Sequence, residues 1–141
     1  MRIEAWVDGG ARGNPGPAGW GAHLLLDGAQ VLDLWGFLGE TTNNVAEYRA
    51  LIAALDAAVE LGAERLVVRT DSQLIERQVT GRYKVRQPHL QKLLAEVRQR
   101  IGRLPAFEIH HVPRAENAAA DALANRAMDL RASGSERAGA P

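Results

Sequence analysis

Residues 1–17, MRIEAWVDGGARGNPGP, constrain this chain more than any other stretch. Ile3, Ala5 and Val7 alternate with Arg2, Glu4 and Trp6, the period-two pattern of a β-strand. The strand delivers Asp8, and the loop after it is nearly bare backbone: Gly9, Gly10, Gly13 and Gly16, with Asn14, Pro15 and Pro17. A carboxylate beside glycines suits close approach by something large, because glycine has no side chain to hold a partner away. A hairpin turn with Asp8 as an ordinary turn residue accounts for the same letters. The rest of the chain has to decide between the two.

Its pattern is that of an α/β domain. Gly19–Leu26 and Gln30–Phe37 read as strands, joined at Asp27-Gly28, two residues suited to the positive φ of a tight hairpin. After Thr41–Asn44, the spacing of Leu51, Ile52, Leu55, Ala58 and Val59 predicts a helix stopped by Gly62. Leu66–Val68 is a short apolar run, as in a buried parallel strand, and it ends at Thr70-Asp71-Ser72 before a helix over 73–79. Pro88 opens a further amphipathic helix carrying Leu90, Leu93, Leu94, Val97 and Ile101. Phe107–Val112 reads as a strand and the alanine-rich 118–130 as a closing helix. The expectation is a mixed five-stranded sheet, three antiparallel strands and then two parallel ones, with helices on both faces. One domain over 1–130 is expected, with 131–141 as a disordered tail.

Charge narrows the functional classes. Seventeen Lys and Arg balance seventeen Asp and Glu, so no global field draws the chain to nucleic acid or membrane. The absence of cysteine excludes disulfides, thiolate metal sites and a cysteine nucleophile. No apolar run approaches a membrane span, and Glu4, Asp8 and Arg12 stand where a signal peptide needs an apolar core. A cytoplasmic protein with no membrane partner is expected, and a monomer, since no oligomerisation stripe remains once the helices are packed.

Four acids have bland readings one at a time. Asp71 suits a helix N-cap. Glu47, three residues after Asn44, suits a capping box. Asp121 suits a solvated helix face, with Asn117 one turn earlier on the same side. Asp8 suits a turn. Taken jointly, Asp8 and Asp71 end strands, Glu47 begins a helix at the sheet's end, and the last helix brings Asp121. Carboxylates gathered at one spot raise one another's pKa unless cations neutralise them. An oxygen-only donor set fits Mg²⁺ or Mn²⁺, and nothing in the histidines, lone His23 included, reads as a zinc site. Two such ions about 4 Å apart activate a water and stabilise the leaving oxygen in phosphodiester cleavage.

The segments VDGGARGNPGPAGWG, TTNNVAEYRAL, Asp71-Ser72-Gln73 and ENAAADALAN, in this order and spacing, resemble the type 1 ribonuclease H family from Ile3 to Met128. The resemblance implies an endonuclease that cuts the RNA strand of RNA/DNA hybrids, leaving a 3′-hydroxyl and a 5′-phosphate. It implies two Mg²⁺ ions, with Mn²⁺ as a substitute: one shared by Asp8, Glu47 and Asp71, the other by Asp8 and Asp121. The hybrid would cross Gly9, Gly10 and Asn14, with Asn43, Asn44 and Gln73 in its minor groove and Asn117 beside the acids. RNA displays its 2′-hydroxyls in a wide, shallow minor groove, within reach of glycine backbone and short amides. Asn43 and Asn44 also suit turn and cap roles.

Two departures from the family pattern stand out. Many bacterial members carry a basic, tryptophan-containing protrusion where this chain has only the Gly81–Pro88 connector. Arg82, Lys84 and Arg86 are either a smaller substitute or a solvated loop. The best-known members also place a histidine seven residues before the last acid, where this chain has Arg114. Arginine is no general base at neutral pH, so Arg114, with Glu116 nearby, is expected to assist release of phosphate or metal exchange. His110 and His111 lie just upstream. These features are closest to the short-loop branch, some of whose members also cut double-stranded RNA, so that substrate stays open. A catalytically weak hybrid-binding domain is the other alternative. A resolvase or integrase core would lack the GNPGP loop with TTNN and DSQ, and a doubly wound phosphatase would need a helix, not a hairpin, after Asp8.

Overall fold

A computed structural model describes residues 1–139. β1 (Arg2–Ala11), β2 (Gly16–Leu26) and β3 (Gln30–Thr41) form an antiparallel meander. α1 (Asn43–Glu60) leads to β4 (Arg65–Thr70), which pairs parallel to β1. α2 (Gln73–Val79) and α3 (Pro88–Ile101) then lead to β5 (Ala106–His111), parallel to β4. A short 3₁₀ turn, Arg114–Asn117, feeds α4 (Ala118–Leu130). A last strand, β6 (Gly134–Gly139), completes the sheet, in which β1 lies inside the order β5-β4-β1-β2-β3-β6. No helix among the described residues is long and apolar enough to cross a membrane.

Strand alternation distributes the helices between the two faces. Ile3, Ala5 and Val7 pair with Leu26, Leu24 and Ala22 in β2 and with Leu66, Val68 and Thr70 in β4. All are buried, on the face that α1 covers with Tyr48, Leu51 and Leu55. α3 closes that side with Leu90, Leu93, Leu94 and Val97. α4 takes the opposite face, over Gly19 and Gly21, where a β-carbon would collide with Ala124, Leu123 and the Ala120 carbonyl. Helices on both faces and a mixed sheet are as the sequence predicts.

The tail departs from expectation. In place of a frayed end, β6 runs antiparallel to β3 with Gln30 opposite Gly139 and Trp35 opposite Gly134. The sheet therefore has six strands, not five; Ala140 and Pro141, the last of the expected tail, lie outside the described residues. Backbone pairing rather than side-chain burial holds β6, whose residues are exposed apart from half-buried Gly134. Gly134 lies against the Trp35 ring, and a β-carbon there would come within 2.5 Å of it. Arg126 stacks on the same ring at 4.9 Å, and Arg137 donates to Gln30 at 2.8 Å. Ending the chain after Ser133 would bare the β3 edge with Val31, Leu32 and Leu34, a template for intermolecular pairing. We expect this truncation to cost about 1–3 kcal/mol in urea unfolding and to raise light scattering on heating. An unchanged urea midpoint would show that β6 contributes nothing.

Candidate active site

Each of the four acids is placed by a backbone element and released from its local alternative role. Val7 pairs with Thr70, so Asp8 and Asp71 follow at the same level of two parallel neighbours. The cap of α1 is Thr42, whose hydroxyl accepts from Val45 N at 3.3 Å, so Glu47 is not a capping-box partner. The cap of α2 is Ser72, accepting from Ile75 N at 3.2 Å, so Asp71 is not the cap. Glu47 is brought in by Gly9, where a β-carbon would overlap the Ala46 carbonyl and the Glu47 amide. Asp121 rides on the first turn of α4, next to Ala120 above Gly21, which is itself the β2 partner of Asp8.

The result is a half-buried cluster. One carboxylate oxygen from each of Asp8, Glu47 and Asp71 lies within 4.8 Å of the other two, and Asp121 lines the same cleft close enough for its charge to act on Asp8. Three convergent oxygen donors fit a hard divalent cation, and Asp121, lining the same cleft, offers a further carboxylate. The cluster floors an open cleft of about 500 Å³ whose walls include Gly9, Gly10 and Arg114. Burial pushes the Asp8 carboxyl up to about 8, and the charges of Asp71, Asp121 and Glu47 push in the same direction. Burial pushes Glu47 up to about 7, opposed by a hydrogen bond from the Ser72 hydroxyl and reinforced by Asp71. Burial and mutual repulsion make the groups compete for protons.

The surrounding amides fall into two kinds. Ala11 N donates to Asn43 Oδ1 at 2.7 Å and Asn43 N donates to Asn14 Oδ1 at 3.1 Å. Both side-chain carbonyls are thus consumed in tying β1, its loop and α1 together, which leaves the two NH₂ groups as donors for an acceptor-rich ligand. Asn44 is half-buried and Gln73 exposed, with no side-chain hydrogen bond on either among the described residues. Asn117 is different, for it is 1% exposed. Its Nδ2 donates to the Val7 carbonyl at 2.9 Å, and its Oδ1 is buried without a partner among the described residues. Asn117 thereby holds the strand one residue before Asp8.

Arg114 lines the cleft, as do Arg12 and Asn125, two residues that sequence reasoning misses. Asn125 had a signal, one helical turn beyond Asp121; Arg12 was hidden among glycines. Glu116 is exposed and outside the cleft walls, and His110 and His111 point from exposed positions on β5. Arg82, Lys84 and Arg86 are exposed too and stand apart from the carboxylates. Lys84 borders a separate hollow with Tyr83 and Arg98, where Arg77 stacks on the Tyr83 ring at 5.3 Å.

The raised carboxyl values make a signed prediction. A folded chain that holds its protons above the ordinary 3.8 of Asp8 is stabilised below that pH and loses the stabilisation as pH rises toward 8. Glu47 acts likewise between 4.5 and about 7. Without divalent ions, Asp8→Asn should therefore melt above the wild type at pH 8, with the gap closing near pH 4. Adding Mg²⁺ at pH 8 should raise the melting temperature of the wild type and not that of Asp8→Asn. Parallel melting profiles across this range would contradict the electrostatic account.

Comparison with known proteins agrees with this geometry. Residues 6–127 match the family described as "Reverse transcriptase-like". The chain is 46% identical over 129 residues to the "Ribonuclease HI" of Halobacterium salinarum, covering 91% of this chain and 65% of that one. It is 40% identical over 144 residues to the "Ribonuclease H" of Halorhodospira halophila, covering 90% of this chain and 93% of that one. It superposes with a TM-score of 0.84 and 42% identity on the crystal structure of LC11-RNase H1 in complex with an RNA/DNA hybrid, over 92% of this chain and 98% of that one. It spans only 37% of the length of longer mycobacterial relatives. Motifs, sheet order and carboxylate cluster together place the chain in the type 1 ribonuclease H family.

Proposed function

We propose that this protein is an endoribonuclease that hydrolyses the RNA strand of RNA/DNA hybrids, leaving a 3′-hydroxyl and a 5′-phosphate. The carrying observation is the convergence of Asp8, Glu47 and Asp71 within 4.8 Å, with Asp121 in the same cleft. The names of the relatives and the hybrid bound to LC11-RNase H1 support the substrate.

Asp8, Glu47 and Asp71 would hold one Mg²⁺, and Asp8 with Asp121 the second; Mn²⁺ fits the same oxygens. When bound, the ions supply an activated water and stabilise the developing charge on the leaving oxygen. The remaining work belongs to the chain. The backbone at Gly10 admits the strand against the cluster without steric obstruction, and Gly9 beside it keeps α1 and Glu47 close. The free NH₂ groups of Asn14 and Asn43, with Asn44 and Gln73, donate to the acceptors of a minor groove and its 2′-hydroxyls. Asn117 keeps β1 in register beneath Asp8. Arg114, permanently charged, binds phosphate at the cleft wall and helps it leave rather than taking a proton. Glu116 flanks Arg114 from outside the cleft, and Arg82, Lys84 and Arg86 add a weaker, salt-sensitive contact to the far strand. All four acids come from one chain, in keeping with a monomer, and the lack of cysteine suits the cytoplasm.

The test is cleavage of end-labelled RNA/DNA, RNA/RNA and DNA/DNA duplexes in Mg²⁺ or Mn²⁺, with Asp71→Asn and chelator controls. We expect metal-dependent cutting of the RNA strand of the hybrid, reduced at least about 1,000-fold in Asp71→Asn. Cutting of RNA/RNA as well would widen the substrate with the same site. Tight hybrid binding without cleavage would overturn the enzyme and leave a binding domain.

A further inference from the structure

Arg12 takes no part in the carboxylate cluster, yet it shares the cleft with the acids. It opens the loop after β1, where Arg12 N donates to the Pro17 carbonyl at 2.9 Å and Gly13 turns the chain at φ +88°. The side chain folds back to α4. Its Nη2 lies 2.6 Å from Asp129 Oδ1 and donates to Asn125 Oδ1 at 3.2 Å. Both contacts use one nitrogen, so Nε and Nη1 make no hydrogen bond among the described residues. The pair is also open to solvent, with the side chains of Arg12 and Asp129 exposed by 47% and 64%. Exposed ion pairs between long side chains are weak and easily exchanged.

Its position gives that free capacity a use. Asp121, Asn125 and Asp129 follow one another at i, i+4 spacing on α4, each about 6 Å further along the axis. Asn125 Nδ2 donates to the Asp121 carbonyl at 3.0 Å, so the row is continuous. It starts at a carboxylate of the cluster and ends under the Arg12 guanidinium. A nucleic-acid strand with one phosphate at the cluster and its backbone running along this row brings a neighbouring phosphate to Arg12. Guanidinium pairs with phosphate through two parallel N–H groups, a better match than one carboxylate oxygen on one nitrogen.

We propose that Arg12 binds a phosphate flanking the scissile one on the cleaved strand, with Asp129 as the resting partner that it leaves when the strand arrives. The proposal rests on the hybrid-cleaving reading above. Arg12 is a positioning residue here and does not touch the reacting atoms. A purely structural brace between the loop and α4 is the competing account, and it makes different predictions for Asp129.

The experiment is steady-state cleavage of an RNA/DNA hybrid in Mg²⁺ across about 50 to 200 mM salt, with wild type, Arg12→Ala, Arg12→Lys and Asp129→Asn. Arg12→Ala should raise KM about 10-fold with kcat within about twofold, and the slope of log KM against log salt should fall by about one. Arg12→Lys should retain the salt slope and recover only part of KM. Asp129→Asn, which frees the guanidinium, should keep or lower KM. A wild-type KM and slope in Arg12→Ala would overturn the proposal. So would equal KM increases in Arg12→Ala and Asp129→Asn with unchanged salt slopes, the signature of a brace. A wild-type protein that cuts no hybrid would bring down the functional reading itself, and that failure is read from the wild type alone.

Discussion

The site depends on one contact, that of the β1 backbone with the α1 backbone at Gly9. A β-carbon there would occupy the space of the Ala46 carbonyl and the Glu47 amide. Any other residue would lift the helix from the strand, and with it Glu47 from Asp8. The same device works on the other face, where Gly21, the β2 partner of Asp8, lets α4 settle close enough to present Asp121. The glycines after Asp8 therefore serve a packing need as well as an open surface. Asp8 sits on a strand, Glu47 and Asp121 on helices, and Asp71 in the two-residue junction between β4 and α2, so every acid is held on or directly beside a rigid element.

Close approach has an electrostatic cost. Four carboxylates share a half-buried space, and burial together with mutual repulsion lifts Asp8 to about 8 and Glu47 to about 7. The fold tolerates this by transferring structural duties to neighbours. Thr42 and Ser72 cap the helices, Asn117 holds the Val7 carbonyl, and Asn14 with Asn43 fasten the loop. The acids are thereby released from capping and loop-fastening duties and left free to take a cation. Local strain of this sort, relieved by a ligand rather than by the fold, is the mark of a functional site.

Much of the architecture is legible because periodicity is a local signal. The alternation of Ile3, Ala5 and Val7 and the helical spacing of Leu90, Leu93, Leu94 and Val97 match the elements they predict. The sixth strand is not legible: Gly134–Gly139 has no alternation and a composition typical of frayed ends, and it becomes a strand only because β3 presents an unpaired edge. The four acids are visible through their joint placement and the motifs around them, whereas the choice of Thr42 and Ser72 as caps needs three dimensions. Asn117 shares a helix-side spacing with Asp121 and yet is buried, since the 3₁₀ turn before α4 breaks the helical register. Arg12 is illegible because its partners, Asn125 and Asp129, are more than a hundred residues away.

Backbone contact at Gly9 is what brings Glu47 to Asp8 and so forms the carboxylate cluster. This is tested most directly by titrating Mn²⁺ into wild type and Gly9→Ala under electron paramagnetic resonance, beside urea unfolding of each. The account predicts that Gly9→Ala stays folded, loses about 1–3 kcal/mol of stability, and binds Mn²⁺ at least about 10-fold more weakly. Wild-type Mn²⁺ affinity in Gly9→Ala would show that Asp8 and Glu47 find each other without that contact, and would contradict it.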